Sequence, residues 1–325
     1  MSIGEKPLIG IDLGGTNVRV GAVTPEGEVL AWSEAPIEAR RGPQAGLERI
    51  TQLIEKTLGQ LEVKRPLAIG IGSTGPIDRR RGSIQNPYTL PTWEDVPIVP
   101  PLAERFGVPV ALENDADAAA LGEAWAGAGR GYRRVAMVTV GTGIGSALVY
   151  NGEIYRGIND EHPEGGHVLI DPSGPECYCG GRGCWEALAS GPAIARRAQE
   201  LARHGATRML DLAGGDLEAI DARIVAQAAR EGDALALQVI RETARYLALG
   251  LVNLLIVYLP DIVVLGGGVM RSYSLFEPTI RQLIEQHSIV APLRAVRLEA
   301  AQLGGQAGVI GAARAAMQLL EESQP

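Results

Sequence analysis

All three cysteines of this chain fall within eight positions, at Cys177, Cys179 and Cys184, and His167 lies ten residues before the first of them. Thiolates and an imidazole are the ligands that Zn²⁺ prefers, and three cysteines with one histidine complete a tetrahedral shell. Such a shell leaves no coordination position open for water or substrate. The spacing therefore predicts a structural Zn²⁺ site that holds the surrounding loop, with its flanking carboxylates, in one rigid arrangement.

Three other interpretations of this cluster are weaker. A disulfide with one leftover thiol is disfavoured because Cys177 and Cys179 are too close to pair comfortably and the N-terminus carries no secretory signal. A zinc ribbon that reads DNA usually has two cysteine pairs and a basic surface, whereas only Arg182 lies in this loop. A zinc-dependent hydrolase needs an open metal position, which four protein ligands do not leave. We therefore expect the carboxylates of Glu164 and Glu186 to form part of a ligand site.

The composition is that of an ordinary globular protein. Of 325 residues, 46% are hydrophobic and 21% are charged, which is enough for two domains with sizeable cores. The net charge of −8 gives no long-range attraction for nucleic acid or for an anionic membrane. The apolar stretch 246–259 is too short to span a bilayer. We expect a cytosolic protein that binds neither nucleic acid nor membrane.

Two segments share a pattern of strand, glycine-rich tip and strand. The first has predicted strands 8–12 and 18–23, and the second has predicted strands 135–140 and 146–150. The tips and a third glycine cluster comprise Gly14, Gly15, Thr16 and Asn17, then Gly141, Thr142 and Gly143, then Gly266, Gly267 and Gly268 after a strand at 262–265. The repeat predicts an internal duplication, with two domains of similar topology and a cleft between them.

Apolar spacing and Pro or Gly boundaries predict the other elements. Helices are expected at 46–61, 100–106, 115–126, 192–204, 234–258 and 308–320, with further strands at 67–71 and 108–112. We expect the last helix to cross back onto the first domain. The predicted domains are therefore 1–114 plus 303–325, which is the smaller, and 115–302.

The glycine tips are candidates for binding phosphate. Backbone N–H groups can approach an anion closely where no Cβ intervenes. Neither a Walker P-loop nor a Rossmann fingerprint occurs in the expected setting. Each tip alone is as well explained as a plain turn, but two equivalent tips and the third cluster favour one nucleotide triphosphate. Asp12, beside the first tip, is placed to hold a metal ion.

These segments together resemble the ROK sugar kinases, within the actin-like ATPase and hexokinase superfamily. The resemblance rests on Asp12-Leu-Gly-Gly-Thr16-Asn-Val-Arg19, Gly141-Thr-Gly-Ile-Gly145, Gly266-Gly-Gly-Val269 and His167…Cys177-x-Cys179-x₄-Cys184-x-Glu186, and it runs from about Leu8 to the C-terminal helix. It implies an α/β, two-domain fold of duplicated mixed β-sheets flanked by helices, with an active-site cleft between the domains. It also implies that the three glycine clusters bind ATP, that Asp12 lies near Mg²⁺, and that the Zn²⁺ is structural.

The resemblance assigns further roles. The family's catalytic Asp corresponds to Asp115 in Glu113-Asn114-Asp115, where it would act as general base; from the residues alone, Asn114 and Asp115 would be an ordinary helix N-cap pair. The residues expected to hold the sugar are Asn114, Asp115, Glu164, His167 and Glu186, with Gly75 and Asn86 from the facing domain. One ring nitrogen of His167 would ligate zinc while the other meets a sugar hydroxyl.

The substrate class stays open within the family. His-Pro-Glu-x-Gly-His at 162–167 resembles the fructokinase branch, whereas Asn86-Pro-Tyr-Thr-Leu-Pro-Thr-Trp93 and the complete cysteine loop look like glucokinases. Glucose is favoured, with fructose, mannose and N-acetylhexosamines as alternatives. Sugar-responsive regulators of the family carry a helix-turn-helix module, and we expect none in the seven residues before Leu8. A homo-oligomer, most often a dimer, is also expected.

Overall fold

A computed structural model describes residues 6–322 and divides by its contacts into two compact units. The first unit comprises Met1–Arg133, Leu148–Tyr155 and Ala301–Pro325, and the second comprises Arg134–Ala147 and Arg156–Ala300. The first unit contains one five-stranded sheet and the second contains most of another, each with its own helices, in keeping with the repeat in the sequence.

The strands are β1 (Leu8–Leu13), β2 (Asn17–Val23), β3 (Val29–Pro36), β4 (Ile69–Ser73), β5 (Ile77–Asp78), β6 (Ser83–Ile84), β7 (Val96–Pro97), β8 (Val110–Asn114), β9 (Arg134–Val140), β10 (Ile144–Tyr150), β11 (Glu153–Ile154), β12 (Ile262–Gly266) and β13 (Arg297–Ala300). The α-helices are α1 (Pro43–Gly59), α2 (Val99–Phe106), α3 (Asp115–Ala126), α4 (Trp185–Ala189), α5 (Gly191–Ala202), α6 (Arg208–Leu212), α7 (Ala222–Arg230), α8 (Ala234–Tyr258), α9 (Tyr273–Gln286) and α10 (Ala307–Glu322).

The two large sheets share one topology. One has the order β3-β2-β1-β4-β8 and the other the order β11-β10-β9-β12-β13. In the first, β4 runs parallel to both β1 and β8, and in the second β12 runs parallel to both β9 and β13. Both sheets therefore carry a glycine-tipped hairpin beside parallel strands, and the predicted duplication is confirmed. A small third sheet contains β5, β6 and β7.

In the first unit, α10 lies directly on the sheet. A Cβ at Gly10 or at Gly70 would strike the backbone of α10 at Val309 or Ala312, so glycine at these strand positions lets the helix approach closely. The other side of β1 carries Ile9 and Ile11, both fully buried in the main core of this unit. This packing holds the ends of β1 and β4, and hence the residues that follow them, in place.

Helix α3 also packs on α10, where Gly122 and Gly311 leave room for the opposite helix backbone. The contacts therefore group α3 with the first unit, whereas the predicted boundary at Asp115 assigned it to the other domain. Leu148–Tyr155 is likewise grouped with the first unit. The predicted boundary was placed at the start of a helix from local sequence signals. Such signals do not reveal packing between residues that lie nearly 200 positions apart in the chain.

In the second unit, the 25-residue α8 is the central helix. Gly250 of this helix has no space for a Cβ because the indole of Trp185 occupies it. Trp185 begins α4 and is almost completely buried, so the residues beside it, including Glu186, are anchored to the core. Within residues 6–322, none of the helices combines the length and apolar character needed to cross a bilayer.

Candidate functional site

The first glycine tip (residues 13–17) closes the hairpin between β1 and β2. The Gly14 N–H donates to the Asn17 carbonyl over 3.0 Å, and Thr16 is exposed. A Cβ at Gly15 would lie 2.7 Å from the Thr89 carbonyl oxygen, which is too close for any side chain to be accommodated without movement. The tip therefore rests on the loop that contains Thr89, and its shape depends on glycine.

Asp12, at the end of β1, has a cationic partner that the sequence analysis missed. Arg19 is its cross-strand neighbour in the β1–β2 hairpin, and an Arg19 guanidinium nitrogen lies 3.0 Å from Asp12 Oδ2. Burial raises the pKa of the Asp12 carboxyl, and the Arg19 contact opposes this only in part. Arg19 pairs with Oδ2, and carboxylate oxygens are ligands that Mg²⁺ takes. The donor type thus fits the divalent ion predicted for Asp12, which stays a prediction.

Asn86 is completely buried, and its amide is used within its own loop. Nδ2 donates to Thr89 Oγ1 at 2.6 Å and to both the carbonyl and the hydroxyl of Thr74 at 3.2 Å. Oδ1 accepts from the backbone N–H groups of Tyr88 and Thr89, each at 3.1 Å. The amide has no capacity left for a ligand, so this geometry makes Asn86 a positioning residue for Thr89 rather than the sugar contact predicted.

Three other predicted residues of the first unit do lie together. Asp115 is the first residue of α3, and Asn114 is its N-cap. The Ala116 N–H donates to Oδ1 of both residues over 2.8 Å, so the N-cap role suggested by the residues alone is real. A Cβ at Gly75 would lie only 3.0 Å from the Asn114 amide nitrogen. Gly75 thus leaves space for the amide, and Asp115 is held at a helix N-terminus.

The four predicted zinc ligands converge in the second unit. Their ligand atoms all lie within 4.8 Å of one another. Cys177 Sγ lies 3.6 Å from His167 Nδ1, and Cys179 Sγ lies 3.6 Å from Cys184 Sγ. The sulfur separation excludes a disulfide, whose bond is about 2.05 Å, and matches sulfurs that share one Zn²⁺ at about 2.3 Å in a tetrahedral shell. The donor set and its spacing therefore fit the metal.

Burial of the cysteines is unequal. Cys184 is fully buried, and this burial, followed by the neighbouring thiols, raises its pKa to about 12. Cys179 is exposed, and a hydrogen bond from the Gly181 N–H lowers its pKa. A thiolate at Cys184 without a cation would be costly, since burial disfavours the charged form. The Cys184 thiol is therefore expected to lose its proton only when a cation binds beside it.

Glu186 joins the zinc loop to the second glycine tip (residues 141–145). Its Oε2 accepts a hydrogen bond from the Ile144 N–H at 2.8 Å, and it occupies the space that a Cβ at Gly143 would take. Glu186 follows Cys184 by two positions at the start of α4. The zinc loop therefore positions a carboxylate directly on the tip predicted to bind phosphate.

Glu164 and His167 flank the same region. Glu164 is exposed and lies 3.5 Å from His162. His167 Nδ1 faces the cysteines, and Nε2 lies 3.2 Å from the hydroxyl of Tyr178. Zinc on one ring nitrogen of His167 and a sugar hydroxyl on the other stay a prediction; in the structure the outer nitrogen meets Tyr178, which was not predicted from the sequence.

A cavity of about 810 Å³ opens beside the second glycine tip, and every residue lining it belongs to the second unit. Gly141 and Thr142 of the tip and Gly268 of the glycine turn (residues 266–268) line one part. Gly191 N–H donates to the Gly141 carbonyl at 2.8 Å, and Gly267, at φ +89°, lies against Val140 where a Cβ would clash. Helices α5, α7 and α9 supply the other walls, through residues that include Ala195, Ala226 and Phe276.

The cavity thus combines glycine-rich backbone with helix faces that supply both apolar side chains and the cations Arg223, Arg230 and Arg271. Such a site suits a ligand with an anionic part and a flat apolar part. Both glycine segments were predicted from the sequence to bind a nucleotide, whereas the α7 and α9 walls were not predicted. The apolar spacing of Phe276, Ile280 and Ile284 in α9 was a usable signal.

Comparison with known proteins agrees with this geometry. The model of the ROK family matches residues 8–318. The glucokinase of Thermotoga maritima is 36% identical over 306 residues, which cover 94% of this chain and 96% of that protein. A ROK family glucokinase from Streptomyces griseus, solved in complex with glucose and AMPPNP, is 34% identical with a TM-score of 0.77, covering 96% of this chain and 99% of that one. A ROK hexokinase from Thermus thermophilus is 33% identical with a TM-score of 0.81, covering 97% and 99%.

Proposed function

This chain belongs to the ROK family, and on that premise we propose that it is an ATP-dependent glucokinase that phosphorylates the 6-hydroxyl of glucose. One observation of the structure carries the proposal most directly. In the second unit the second glycine tip lines a cavity suited to a nucleotide. The same tip accepts the Gly191 N–H at Gly141 and donates the Ile144 N–H to Glu186, each over 2.8 Å. Glucokinases are also among its similar proteins over nearly the whole chain.

ATP would lie with its adenosine in the large cavity of the second unit and its phosphates at the glycine segments. The apolar side chains that α5, α7 and α9 contribute, Ala195, Ala226 and Phe276, suit a purine, and the tips offer backbone N–H groups to the phosphates. Asp12 and the first tip would hold the Mg²⁺ that accompanies the nucleotide. Mg²⁺ held there would supply positive charge against the phosphates.

Asp115 is proposed as the general base. In phosphoryl transfer the protein mainly positions groups and stabilises charge, and a carboxylate can accept the proton of the attacking hydroxyl. Asp115 begins α3, and a negative charge is stabilised at a helix N-terminus. Asn114 and Gly75, beside it, would hold the same sugar.

The second unit would bind the sugar through Glu164, His167 and Glu186. Carboxylates accept hydrogen bonds from sugar hydroxyls, and an imidazole N–H donates one. The Zn²⁺ would take no part in the chemistry. By fixing the loop, it would hold His167 and Glu186 in position to contact the sugar. Asn86 acts indirectly, by holding Thr89 under the first glycine tip.

Initial rates with ATP and Mg²⁺ across glucose, mannose, fructose, N-acetylglucosamine and N-acetylmannosamine test the proposal. We expect the highest kcat/KM with glucose and no turnover without the nucleotide. A preference for fructose would favour the other branch, whose His-Pro-Glu-x-Gly-His pattern this chain shares at 162–167. Absence of ATP-dependent phosphorylation of all five sugars would contradict the kinase assignment. Replacing ATP by polyphosphate in the same assay establishes the phosphoryl donor.

A cytosolic location and a dimeric assembly stay predictions. Both are addressed directly by cell fractionation and by the mass of the purified protein in solution.

A further inference from the structure

Tyr178, between the first two cysteines of the zinc loop, has an unusual environment for an exposed aromatic residue. Tyr178 is 84% exposed. Nevertheless its hydroxyl lies 3.2 Å from His167 Nε2, and the two rings meet edge to face with centroids 5.2 Å apart. An exposed tyrosine ordinarily directs its hydroxyl to water, so these contacts point to a specific role.

Within hydrogen-bond distance the hydroxyl meets a ring nitrogen of His167. His167 Nδ1 faces the thiol of Cys177, so Nε2 is the ring nitrogen available to Tyr178. When Nε2 carries the proton it donates to the tyrosine oxygen. The hydroxyl therefore takes up the ring nitrogen of His167 that does not face the cysteines.

A sugar hydroxyl would accept the same hydrogen bond, since its oxygen is an acceptor of the same kind. We propose that the Tyr178 hydroxyl occupies the position of a sugar hydroxyl on His167 Nε2, and that the sugar must displace it to bind. This inference rests on the proposed function, in which His167 holds the sugar. Tyr178 is thus an internal competitor that sets sugar affinity.

The loop permits this displacement. Gly180 follows Cys179 with φ of +88°, a conformation that glycine adopts at no steric cost. A Cβ placed at Gly180 would meet no atom within 4 Å, and the exposed Tyr178 ring is not packed in the core. The ring can therefore swing into solvent without leaving a cavity, while the cysteines on either side keep their places.

Tyr178→Phe removes only the competing oxygen. Each hydrogen bond exchanged between protein and solvent changes the free energy modestly, so we expect the Kd for glucose to fall by about 3- to 10-fold. Calorimetric titration without nucleotide measures this Kd, and the zinc content of the same sample shows that the loop is intact. In the kinase assay KM should fall in parallel while kcat changes little. Tyr178→Leu, which also removes the ring, should lower Kd in the same way.

Tyr150→Phe is the matched control, because Tyr150 is also exposed and its hydroxyl also has a charged partner, Arg133 at 2.8 Å. Its Kd should equal that of the unsubstituted protein. The gain in Tyr178→Phe should also disappear with one of the three glucose analogues lacking the hydroxyl at carbon 1, 2 or 3. A Kd that is unchanged or higher in both Tyr178 variants overturns the inference. If the protein still phosphorylates glucose, the proposed kinase function stands. A protein that neither binds nor phosphorylates any hexose overturns the proposed function as well.

Discussion

At the scale of single residues, Asp115 combines a structural and a proposed chemical role that one substitution can separate. Its carboxylate accepts the Ala116 N–H at 2.8 Å, and an asparagine oxygen can accept the same bond. Asparagine cannot take up the proton of an attacking hydroxyl. We therefore expect Asp115→Asn to fold normally, to bind glucose with little change in Kd, and to lose about 10²- to 10⁴-fold in kcat. Steady-state kinetics and calorimetric binding measure the two effects.

The control for this substitution is Asp233→Asn. Asp233 is the N-cap of α8 and likewise accepts a backbone N–H at 2.8 Å, from Ala236. Its Oδ2 also accepts the Arg208 N–H and the Thr207 hydroxyl, so Asp233→Asn should cost some stability. Asp233 has no proposed role in the site, so kcat should stay unchanged. If Asp115→Asn retains near-normal kcat, Asp115 is not the base, and the N-cap explanation alone accounts for it.

At the scale of the zinc loop, the metal is expected to act on the sugar through Glu186. Cys179 is the exposed ligand, so Cys179→Ser alters the metal site with little effect on packing. We expect the zinc content to fall from about one per chain, the melting temperature to fall, and the Kd for glucose to rise about tenfold or more as His167 and Glu186 lose their support. Elemental analysis, thermal melts and titration check these effects. A metal-free Cys179→Ser protein with unaltered stability and affinity would remove zinc from the account.

At the scale of helices, the crossing of α3 and α10 depends on glycine. A Cβ at Gly311 would strike the Ala118 carbonyl, so Gly311→Ala forces the two helices apart. Alanine gains up to about 1 kcal/mol of helix propensity over glycine, but overpacking costs about 1–3 kcal/mol or more. We expect net destabilisation in urea unfolding. Gly59→Ala, in α1 with nothing within 4 Å of the added Cβ, should instead be neutral or slightly stabilising, and equal effects would refute the packing argument.

The elements were predictable where local signals decide them. The bounds of α3 and α8 agree with the sequence because Asn114 and Asp233 are their N-caps and Pro260 follows α8. Helix α1 begins at Pro43, three residues before the predicted start, because proline is favoured in the first turn of a helix. Helices α7 and α9 were missed, and with them the walls of the large cavity.

The site was predictable in its ligand types and less so in its contacts. The spacing of the cysteines and His167 predicted four side chains whose possible ligand atoms do converge within 4.8 Å, because metal binding needs particular residue types at short range. The satisfied amide of Asn86, the partner Arg19 and the hydroxyl of Tyr178 depend on which side chains tertiary packing brings together. Sequence spacing alone does not specify such contacts between loops.

At the scale of the whole molecule, Glu123 holds the start of the last segment of the first unit, which begins at Ala301. Glu123 is fully buried near the end of α3, and its carboxylate accepts the N–H groups of Ala128, Gln302 and Leu303 at 2.9, 3.2 and 2.8 Å. The last two lie 179 and 180 residues further along the chain. One side chain therefore fixes the start of the segment that leads into α10.

Glu123→Gln replaces one accepting oxygen by an NH₂ group that cannot accept these N–H groups. At least one partly buried backbone donor then loses its charged acceptor, which costs about 1–3 kcal/mol. We expect urea unfolding to show a loss of this size. Glu321→Gln is the control, because its pair with Arg314 is partly exposed and such surface pairs contribute about 0–1 kcal/mol. If both variants lose equally little, the buried carboxylate is not what joins the returning segment to α3, and the packing of α10 must hold it instead.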